Sequence, residues 1–428
     1  MFIIYDLIFL MFAIICLPAY IFQGKMHRGL LERMGFLPKI GWRRHIWVHA
    51  VSVGEVMSVK RLIHELKTEY PGKQIILSTV TATGNQVAKS IADANIFLLY
   101  LPFDLSFVVN SVISRINPCF FVIAETEVWP NLIRCLYKKH IPIVIVNARI
   151  SDASVKGYSA VKFLLKPVIN KVNLICGQSE HDAKRFQEAL GAQANKIKVT
   201  GNMKFDFSIP SMRESVDSVL RKDLGMHPVD KLLVCGSTRP GEEEILIGVY
   251  KSLLSKFPGL KLVIAPRHPD RSREISLIVS KSGFNSVFVS RLPYECASCL
   301  THPVFILDTI GNLLEFYKTA DIVFVGGSLE RLGGHNIVEP AIFSKPVIFG
   351  PHMFNFRDIS GLFLKENAGI MVRNEEELKE SITMLLESPQ ASRGFGERAR
   401  GLIQRNQGAT LRNMGEIRKV VAASGGLC

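Results

Sequence analysis

Residues 325–340 read VGGSLERLGGHNIVEP and combine paired glycines with side chains that commonly bind nucleotides or sugars. Gly326–Gly327 follow the apolar run ADIVFV, and Gly333–Gly334 precede a predicted helix that begins near His335. Glycine lets a bound group approach the backbone closely, and a helix N-terminus favours phosphate. Glu339, four residues after His335, is predicted to share its helical face and to accept hydrogen bonds from ribose hydroxyls. The competing interpretation is a tight strand–turn–helix connection in which the glycines only permit the turns.

Two further strand ends in the second half of the chain carry residues suited to anions. In PRHPDR, Arg267 and His268 follow the run LKLVIA, where an arginine can contact a phosphate through two nitrogens. A surface salt bridge is the alternative for Arg267. In CGSTRPGEEE, Ser237 precedes a helix whose three leading glutamates are interpreted as caps that offset the helix dipole. The chain contains neither G-x-G-x-x-G nor G-x-x-x-x-G-K-[ST], which argues against a dinucleotide fingerprint and a P-loop.

The first half of the chain carries carboxylates and cationic side chains that also follow predicted strands or join the two halves. Glu55 of HAVSVGE follows an apolar run and could take a proton from a hydroxyl as a general base, or merely cap the next helix. ETEVWPN offers Glu125 and Glu127, of which at most one is expected to be catalytic or substrate-binding while the other caps a helix. Arg149 of VNARIS and Lys204 of GNMKFD are candidate anion ligands. The histidines show no metal-ligand spacing, and no G-x-S-x-G elbow indicates a serine hydrolase.

Short apolar runs alternate with amphipathic helical segments through both halves of the chain. Runs that are apolar throughout predict parallel strands in sheets that helices cover on both faces. Ligands bind such sheets at the carboxyl ends of the strands, and every candidate above follows a predicted strand or joins the halves. The predicted domains are 23–207 and 208–428, facing a cleft, with the last helices able to pack back on the first domain.

The first 22 residues, MFIIYDLIFLMFAIICLPAYIF, carry a single charge, Asp6, and could span a hydrocarbon core of roughly 30 Å as a helix. We predict that 1–22 is a membrane anchor. A cleaved signal peptide would require basic residues before the apolar run and a small-residue cleavage site after it, and a buried core helix is a third interpretation. Lys25, Arg28 and Arg33 follow closely, which places the rest of the chain in the cytoplasm.

The net charge of +14 is unevenly distributed. Residues 1–204 hold 25 Lys and Arg against 13 Asp and Glu, whereas the remainder holds 27 against 25. A basic half beside an apolar segment suits an anionic lipid surface or a phosphorylated lipid substrate. No nucleic-acid-binding module or basic tract is recognisable, so nucleic acid is not a predicted partner.

Seven segments, in order along nearly the whole chain, resemble the lipid A Kdo transferases of glycosyltransferase family 30, where Kdo is 3-deoxy-D-manno-octulosonic acid. They are HAVSVGE, ETEVWPN, VNARIS, GNMKFD, PRHPDR, GGSLERLGGHNIVEPA and GPHMFNFRD. The resemblance implies an α/β fold with two Rossmann-like, doubly wound parallel-sheet domains (the GT-B arrangement) after an N-terminal membrane helix. It also implies inverting transfer of Kdo from CMP-Kdo to a phosphorylated lipid A precursor, lipid IVA, with release of CMP. The implied location is the cytoplasmic face of the bacterial inner membrane, and no metal or other cofactor is expected.

The resemblance also implies a role for each candidate residue. Glu55 would be the general base, and Glu125, Arg149 and Lys204 would lie on the acceptor side. The donor-binding residues would be Ser237, Arg267, His268, Gly327, Ser328, Gly334, His335, Asn336 and Glu339. The motifs do not indicate how many Kdo units are added. A nucleotide-sugar epimerase and a non-catalytic, membrane-anchored sugar-nucleotide-binding protein stay open as alternatives on the same architecture.

Overall fold

A computed structural model describes residues 5–7, 9–11, 29–38, 44–206, 216–292 and 301–425. The chain forms two compact units: a first unit of Met1–Asp206 with Asn406–Cys428, and a second unit of Phe207–Arg405. The boundary after Asp206 lies one residue before the predicted one. Residues 406–428, at the end of the predicted second domain, return to the first unit.

The first unit contains a seven-stranded parallel sheet in the order β3-β2-β1-β4-β5-β6-β7. Its strands are β1 (His45–His49), β2 (Ile75–Thr79), β3 (Ile96–Tyr100), β4 (Pro118–Ala124), β5 (Ile143–Ala148), β6 (Leu174–Gly177) and β7 (Ile197–Val199). Six of them coincide with predicted apolar runs, whereas β7 is short and mostly exposed, so its sequence gives no such signal. The strand order reverses between β1 and β4, and such a switch point is where open α/β sheets bind ligands.

Helices cover both faces of this sheet. They are α1 (Leu30–Arg33), α2 (Val53–Glu69), α3 (Ala82–Ile91), α4 (Ser106–Ile116), α5 (Pro130–Lys138), α6 (Asp152–Ala160), α7 (Lys162–Ile169), α8 (Glu180–Leu190) and, from the end of the chain, α17 (Ala409–Ala423). Because side chains alternate along a strand, Trp47 and Phe121 enter one core while Ile46 and Phe120 enter the other. Helix α17 contributes to the second of these cores, so the last helix completes the first unit.

The second unit repeats the architecture with a parallel sheet in the order β10-β11-β9-β8-β12-β13-β14. The strands are β8 (Lys231–Thr238), β9 (Leu260–Pro266), β10 (Ser286–Phe288), β11 (Val304–Ile306), β12 (Ile322–Val325), β13 (Val347–Phe349) and β14 (Ile370–Met371). The helices are α9 (Val216–Asp223), α10 (Glu242–Leu253), α11 (Ser272–Lys281), α12 (Leu313–Thr319), α13 (Val338–Ala341), α14 (Arg357–Lys365), α15 (Glu375–Glu387) and α16 (Pro389–Asn406). The order reverses between β8 and β12. The prediction of two doubly wound parallel-sheet domains is confirmed.

Three strand ends near the candidate residues depart from regular geometry. The register between β8 and β9 shifts at Ser237, which has φ +58°, and the register between β5 and β6 shifts around Asn147, at φ +52°. Glu125, directly after β4, has φ +56°. Left-handed backbone is uncommon for residues other than glycine and often marks a site where the chain must turn sharply. At Ser237 and Asn147 it accompanies the register shift one residue before the strand ends, and at Glu125 it follows the last residue of β4.

The predicted membrane anchor at 1–22 lies outside the described residues, apart from 5–7 and 9–11, which are helical. Asp6, the one charge of this segment, accepts hydrogen bonds from the main-chain N–H and the hydroxyl of Ser106, at 3.0 and 2.5 Å. Over the ranges described above, none of the helices has both the length and the apolar character needed to cross a membrane. The expectation of a spanning N-terminal helix stays a prediction, because most of residues 1–22 lie outside the described ranges.

Candidate functional site

Glu55 lies in the first turn of α2, directly after β1 at the switch point of the first sheet. Its Oε2 accepts the main-chain N–H of Val51 at 2.8 Å, and its Oε1 accepts the hydroxyl of Ser52 at 2.9 Å. Burial raises the pKa of Glu55 to about 7, the Glu125 carboxylate adds to the rise, and Lys204 acts against it. A fixed carboxyl that titrates near neutrality is suited to accept a proton from a substrate hydroxyl.

Glu125 brings the other three predicted first-half residues together. Lys204 Nζ lies 2.9 Å from its Oε1, and Arg149 Nε lies 3.7 Å from its Oε2. Glu125 is in turn close enough to Glu55 to influence its titration. The sequence suggested Arg149 and Lys204 as ligands of a bound anion, but both cations pair with a carboxylate of the protein.

Glu127 belongs to the same carboxyl cluster, which the sequence did not reveal. Burial raises the pKa of Glu127 to about 7, and Glu55 adds to the rise. The sequence left a helix-capping role for one of the two glutamates. That role is taken by Asp104 instead, which accepts the N–H groups of Asn131 and Leu132 at the start of α5, at 3.0 and 2.8 Å. The first unit thus gathers three carboxyl groups at the carboxyl ends of two neighbouring strands, β1 and β4.

The glutamates at the start of α10 are not the simple dipole caps that the sequence suggested. Glu242 is completely buried and accepts four main-chain N–H groups at 2.7 to 3.0 Å, those of Arg239, Gly327, Ser328 and Leu329. Glu243 is also completely buried and forms an ion pair with Arg271 at 2.8 Å. Glu244 is exposed. Glu242 therefore holds the loop that follows β12.

The paired glycines are required by contacts within the protein. A Cβ atom at Gly326 would lie 2.7 Å from Glu242 Oε2, one at Gly327 would lie 2.9 Å from His335 Cδ2, and one at Gly334 would collide with Met353 Sδ. The N–H groups of Gly327 and Ser328 point at Glu242, so they are not available to a bound phosphate. The structure therefore favours the tight-connection interpretation for these glycines over close approach of a ligand.

Ser328, His335, Asn336 and Glu339 also differ from their predicted arrangement. The buried Ser328 hydroxyl donates to Val325 O at 2.6 Å and accepts the Gly350 N–H at 2.8 Å, so it joins the ends of β12 and β13. Helix α13 begins only at Val338, because Asn336 Oδ1 accepts its N–H at 3.1 Å. Asn336 Nδ2 donates to Glu339 Oε1 at 3.1 Å. His335 precedes the helix and shares no helical face with Glu339.

A group of basic side chains lies at the carboxyl edge of the second sheet. Arg239 follows β8, and Arg267 and His268 follow β9. Burial and the neighbouring Arg267, Arg239 and His268 together lower the pKa of His335 to about 3, so His335 is neutral at physiological pH. Within the part of the chain that the structure describes, neither Arg239 nor Arg267 forms an ion pair. Two guanidinium groups are thus available to an anion, and Arg239 is the one that no sequence motif had singled out.

Comparison with known proteins identifies the family. A family model described as 3-deoxy-D-manno-octulosonic-acid transferase (kdotransferase) matches residues 28–207. The 3-deoxy-D-manno-octulosonic acid transferase of Haemophilus influenzae is 35% identical over 91% of this chain and 90% of that protein. The chain belongs to the 3-deoxy-D-manno-octulosonic acid transferase family. The transferase of the same name from Chlamydophila psittaci is 31% identical over 89% of this chain and 88% of its own.

Solved structures of low sequence identity match the fold. Acinetobacter baumannii MurG is 14% identical, with a TM-score of 0.54 over 88% of this chain and 100% of that one. A UDP-GlcNAc 2-epimerase from Neisseria meningitidis, bound to UDP-GlcNAc, is 12% identical, with a TM-score of 0.54 over 89% of this chain and 100% of that one. The fold alone would fit an epimerase as well. Membership of the Kdo transferase family shows that this chain is a glycosyltransferase, as the sequence motifs predicted.

Proposed function

We propose that the protein is an inverting glycosyltransferase that moves Kdo from CMP-Kdo to a lipid A precursor, lipid IVA, and releases CMP. The product belongs to the inner core of lipopolysaccharide. The donor and the acceptor are proposed from the family and from the charged residues at the carboxyl ends of the strands in the two sheets. The observation that carries the reaction type is the Glu55 carboxyl, fixed by two hydrogen bonds and titrating near pH 7.

Glu55 is the general base of the proposed reaction. Its carboxylate removes the proton of an acceptor hydroxyl while that oxygen forms a bond to C2 of Kdo. The bond between C2 and the phosphate oxygen breaks, and its electron pair leaves with CMP. Attack from the side opposite the leaving phosphate inverts the configuration at C2. Glu125 assists because its carboxylate adds to the rise of the Glu55 pKa, which makes Glu55 a more effective proton acceptor.

Arg239 and Arg267 bind the anionic groups of the donor in this proposal. CMP-Kdo carries a phosphate and a sugar carboxylate, and guanidinium groups bind both through paired N–H donors. Positive charge near the phosphate also stabilises the negative charge that develops on departing CMP. Neutral His335 can donate or accept a hydrogen bond beside them, because it stays uncharged at physiological pH. The proposed reaction assigns no step to a metal.

We place the protein at the cytoplasmic face of the bacterial inner membrane, where its lipid acceptor would lie. The excess of basic residues in the first unit supports this proposal, and so do the apolar side chains that it exposes on the N-terminal segment and at the start of α4. Leu7 is 58% exposed, Met11 61% and Phe107 70%. Basic and apolar groups on one domain favour adsorption to anionic lipid surfaces.

The proposed function is tested by incubating the purified full-length protein with CMP-Kdo and a tetra-acylated lipid A precursor, with the products resolved by mass. We expect products heavier by one or more Kdo units, which also counts the additions. A precursor that stays unmodified, in the presence of demonstrated CMP binding, would contradict the proposed transfer. Conversion of the donor sugar without transfer would instead favour the epimerase alternative.

A further inference from the structure

The described part of the N-terminal segment makes specific polar contacts with the first unit. The Tyr5 hydroxyl donates to Asp104 Oδ2 at 3.0 Å, and Asp6 Oδ1 accepts from Asn131 Nδ2 at 2.6 Å. Asp6 also receives both polar hydrogens of Ser106 at the start of α4. Among the described residues of this segment, Asp6 contacts the starts of α4 and α5, and Tyr5 contacts Asp104.

Asn131 lies completely buried between two carboxylates and connects them. Its side-chain amide donates to Asp6 Oδ1 and to the main-chain oxygen of Asp104, both at 2.6 Å. Its main-chain N–H donates to Asp104 Oδ2 at 3.0 Å. Removing the Asp6 acceptor would leave a buried amide hydrogen without a partner, which costs stability at this point of the fold.

Asn131 is the second residue of α5 and follows the segment that carries Glu125 and Glu127. We call residues 125–129, between β4 and α5, the acidic loop. At its start, Glu125 N–H donates to Val146 O at 2.9 Å, and the Glu125 side chain pairs with Lys204. At its end, the loop depends on Asn131 and on the two carboxylates that hold it. The N-terminal segment thus supplies one of the fixed points of the acidic loop.

We infer that Asp6 is a positioning residue of the transferase reaction: by holding Asn131, it fixes the acidic loop beside Glu55. The inference rests on the proposed role of Glu55 as general base. Tyr5 contributes to the position of Asn131 indirectly, because its hydroxyl donates to Asp104, which accepts the Asn131 main-chain N–H. Binding of the N-terminal segment and the geometry of the carboxyl cluster are coupled through this network, although neither Asp6 nor Tyr5 takes part in the chemistry.

The decisive variant is Asp6→Asn in the full-length protein, assayed in detergent. It keeps the size of the side chain but removes its charge and sets an amide donor against the Ser106 or Asn131 donors. We expect kcat to fall on the order of 10-fold, because a displaced loop misplaces the reacting groups. The KM for CMP-Kdo should change by less than about twofold, since donor-binding residues in the second unit are untouched.

A second measurement reports the loop position without relying on turnover. Carboxyl ¹³C NMR titration should show the pKa of Glu127 falling from about 7 toward its ordinary range in Asp6→Asn, because a loosened loop gains water. The titratable groups near Glu127 are Glu55, Glu125 and Tyr158, and none of them is altered. A purely structural weakening elsewhere would leave this titration in place.

Ser106→Ala is the matched control, because it removes one bond to Asp6 and leaves the contact with Asn131. We expect its kcat and its Glu127 titration to match those of the wild type. An equal loss in Ser106→Ala, or wild-type kcat and titration in Asp6→Asn, would overturn the inference.

Tyr5→Phe serves if Asp6→Asn does not fold, since it deletes only the hydroxyl that contacts Asp104. It should shift the Glu127 titration in the same direction by a smaller amount, and an unchanged titration would count against the inference. If the wild type transfers no Kdo, the proposed function fails on its own, and the titrations alone decide whether Asp6 positions the loop.

Discussion

Glu55 and Glu242 occupy equivalent places in the two units and do different work. Each lies in the first turn of the helix that follows the central strand at the switch point, β1 in the first sheet and β8 in the second. Glu55 keeps a partly accessible carboxyl that titrates near pH 7. Glu242 is completely buried and uses both oxygens on four N–H groups of the protein. The same residue type at the same topological position is thus a candidate base in one unit and a structural support in the other.

In each unit, the charged side chains at the candidate site differ from what the net charge of that unit suggests. The first unit has 28 Lys and Arg against 15 Asp and Glu, yet three carboxyl groups gather where its strands β1 and β4 end. The second unit has 24 against 23, yet two guanidinium groups that lack a carboxylate partner among the described residues follow its strands β8 and β9. Net charge therefore indicates what a domain attracts from a distance, whereas local contacts decide what its site can bind.

Glu55→Gln should cause the largest loss of transfer activity if Glu55 is a base and Glu242 a structural residue. Without a base, transfer should fall by roughly a thousandfold, within the range attributed to general-base catalysis. The affinity for CMP, measured by calorimetry, should stay at the wild-type value, because the cations of the second unit are unchanged. Transfer at a near wild-type rate would remove Glu55 from the chemistry and make it another structural glutamate.

Glu242→Ala should reduce the stability of the second unit and leave the proposed proton acceptor, Glu55, unchanged. It leaves buried N–H groups without an acceptor and should lower the free energy of unfolding by about 3 kcal/mol or more. Urea unfolding measures the change. Glu244→Ala is the matched control in the same helical turn, where an exposed side chain should contribute less than about 0.5 kcal/mol. Equal stability of the two variants would contradict the structural role of Glu242.

Arg267→Ala should weaken CMP binding by about 10- to 100-fold, the usual value of a hydrogen bond to a charged group. Arg239→Ala should act in the same direction, although the sequence alone gave no reason to choose it. The KM for the lipid acceptor should stay constant in both variants. A parallel loss of donor and acceptor affinity would indicate a folding defect instead of a lost anion contact.

The smallest effect concerns the pH profile and tests the cluster around Glu55. A general base must be ionised, so kcat should rise with pH through the Glu55 pKa of about 7. Lys204→Met removes a cation that lowers this pKa and should move the rise to higher pH. Glu125→Gln removes a carboxylate that raises it and should move the rise to lower pH. Shifts of about 0.5 to 1 unit are expected, and shifts of the same sign in both variants would refute the arrangement.

Much of the fold followed from the sequence because buried parallel strands leave continuous apolar runs. Runs such as HIWVH and CFFVIA fixed the central strands, their spacing predicted the helices between them, and the motifs placed Glu55, Glu125 and Arg267 at strand ends. These features depend on residues that are near one another along the chain. The family was recognisable for the same reason, since its motifs are local stretches.

Tertiary structure decided what those local stretches contact. Glu242 holds a loop 85 to 87 residues later in the chain, Asp6 holds Asn131 across 125 residues, and α17 returns to the first unit's core. The two carboxylate contacts depend on which groups folding buries, because a buried N–H donor must pair with an acceptor that the folded chain brings near it. The sequence determined the residue types and the strand ends at which they lie. Only folding determined which carboxylates are completely buried and which stay accessible to a substrate.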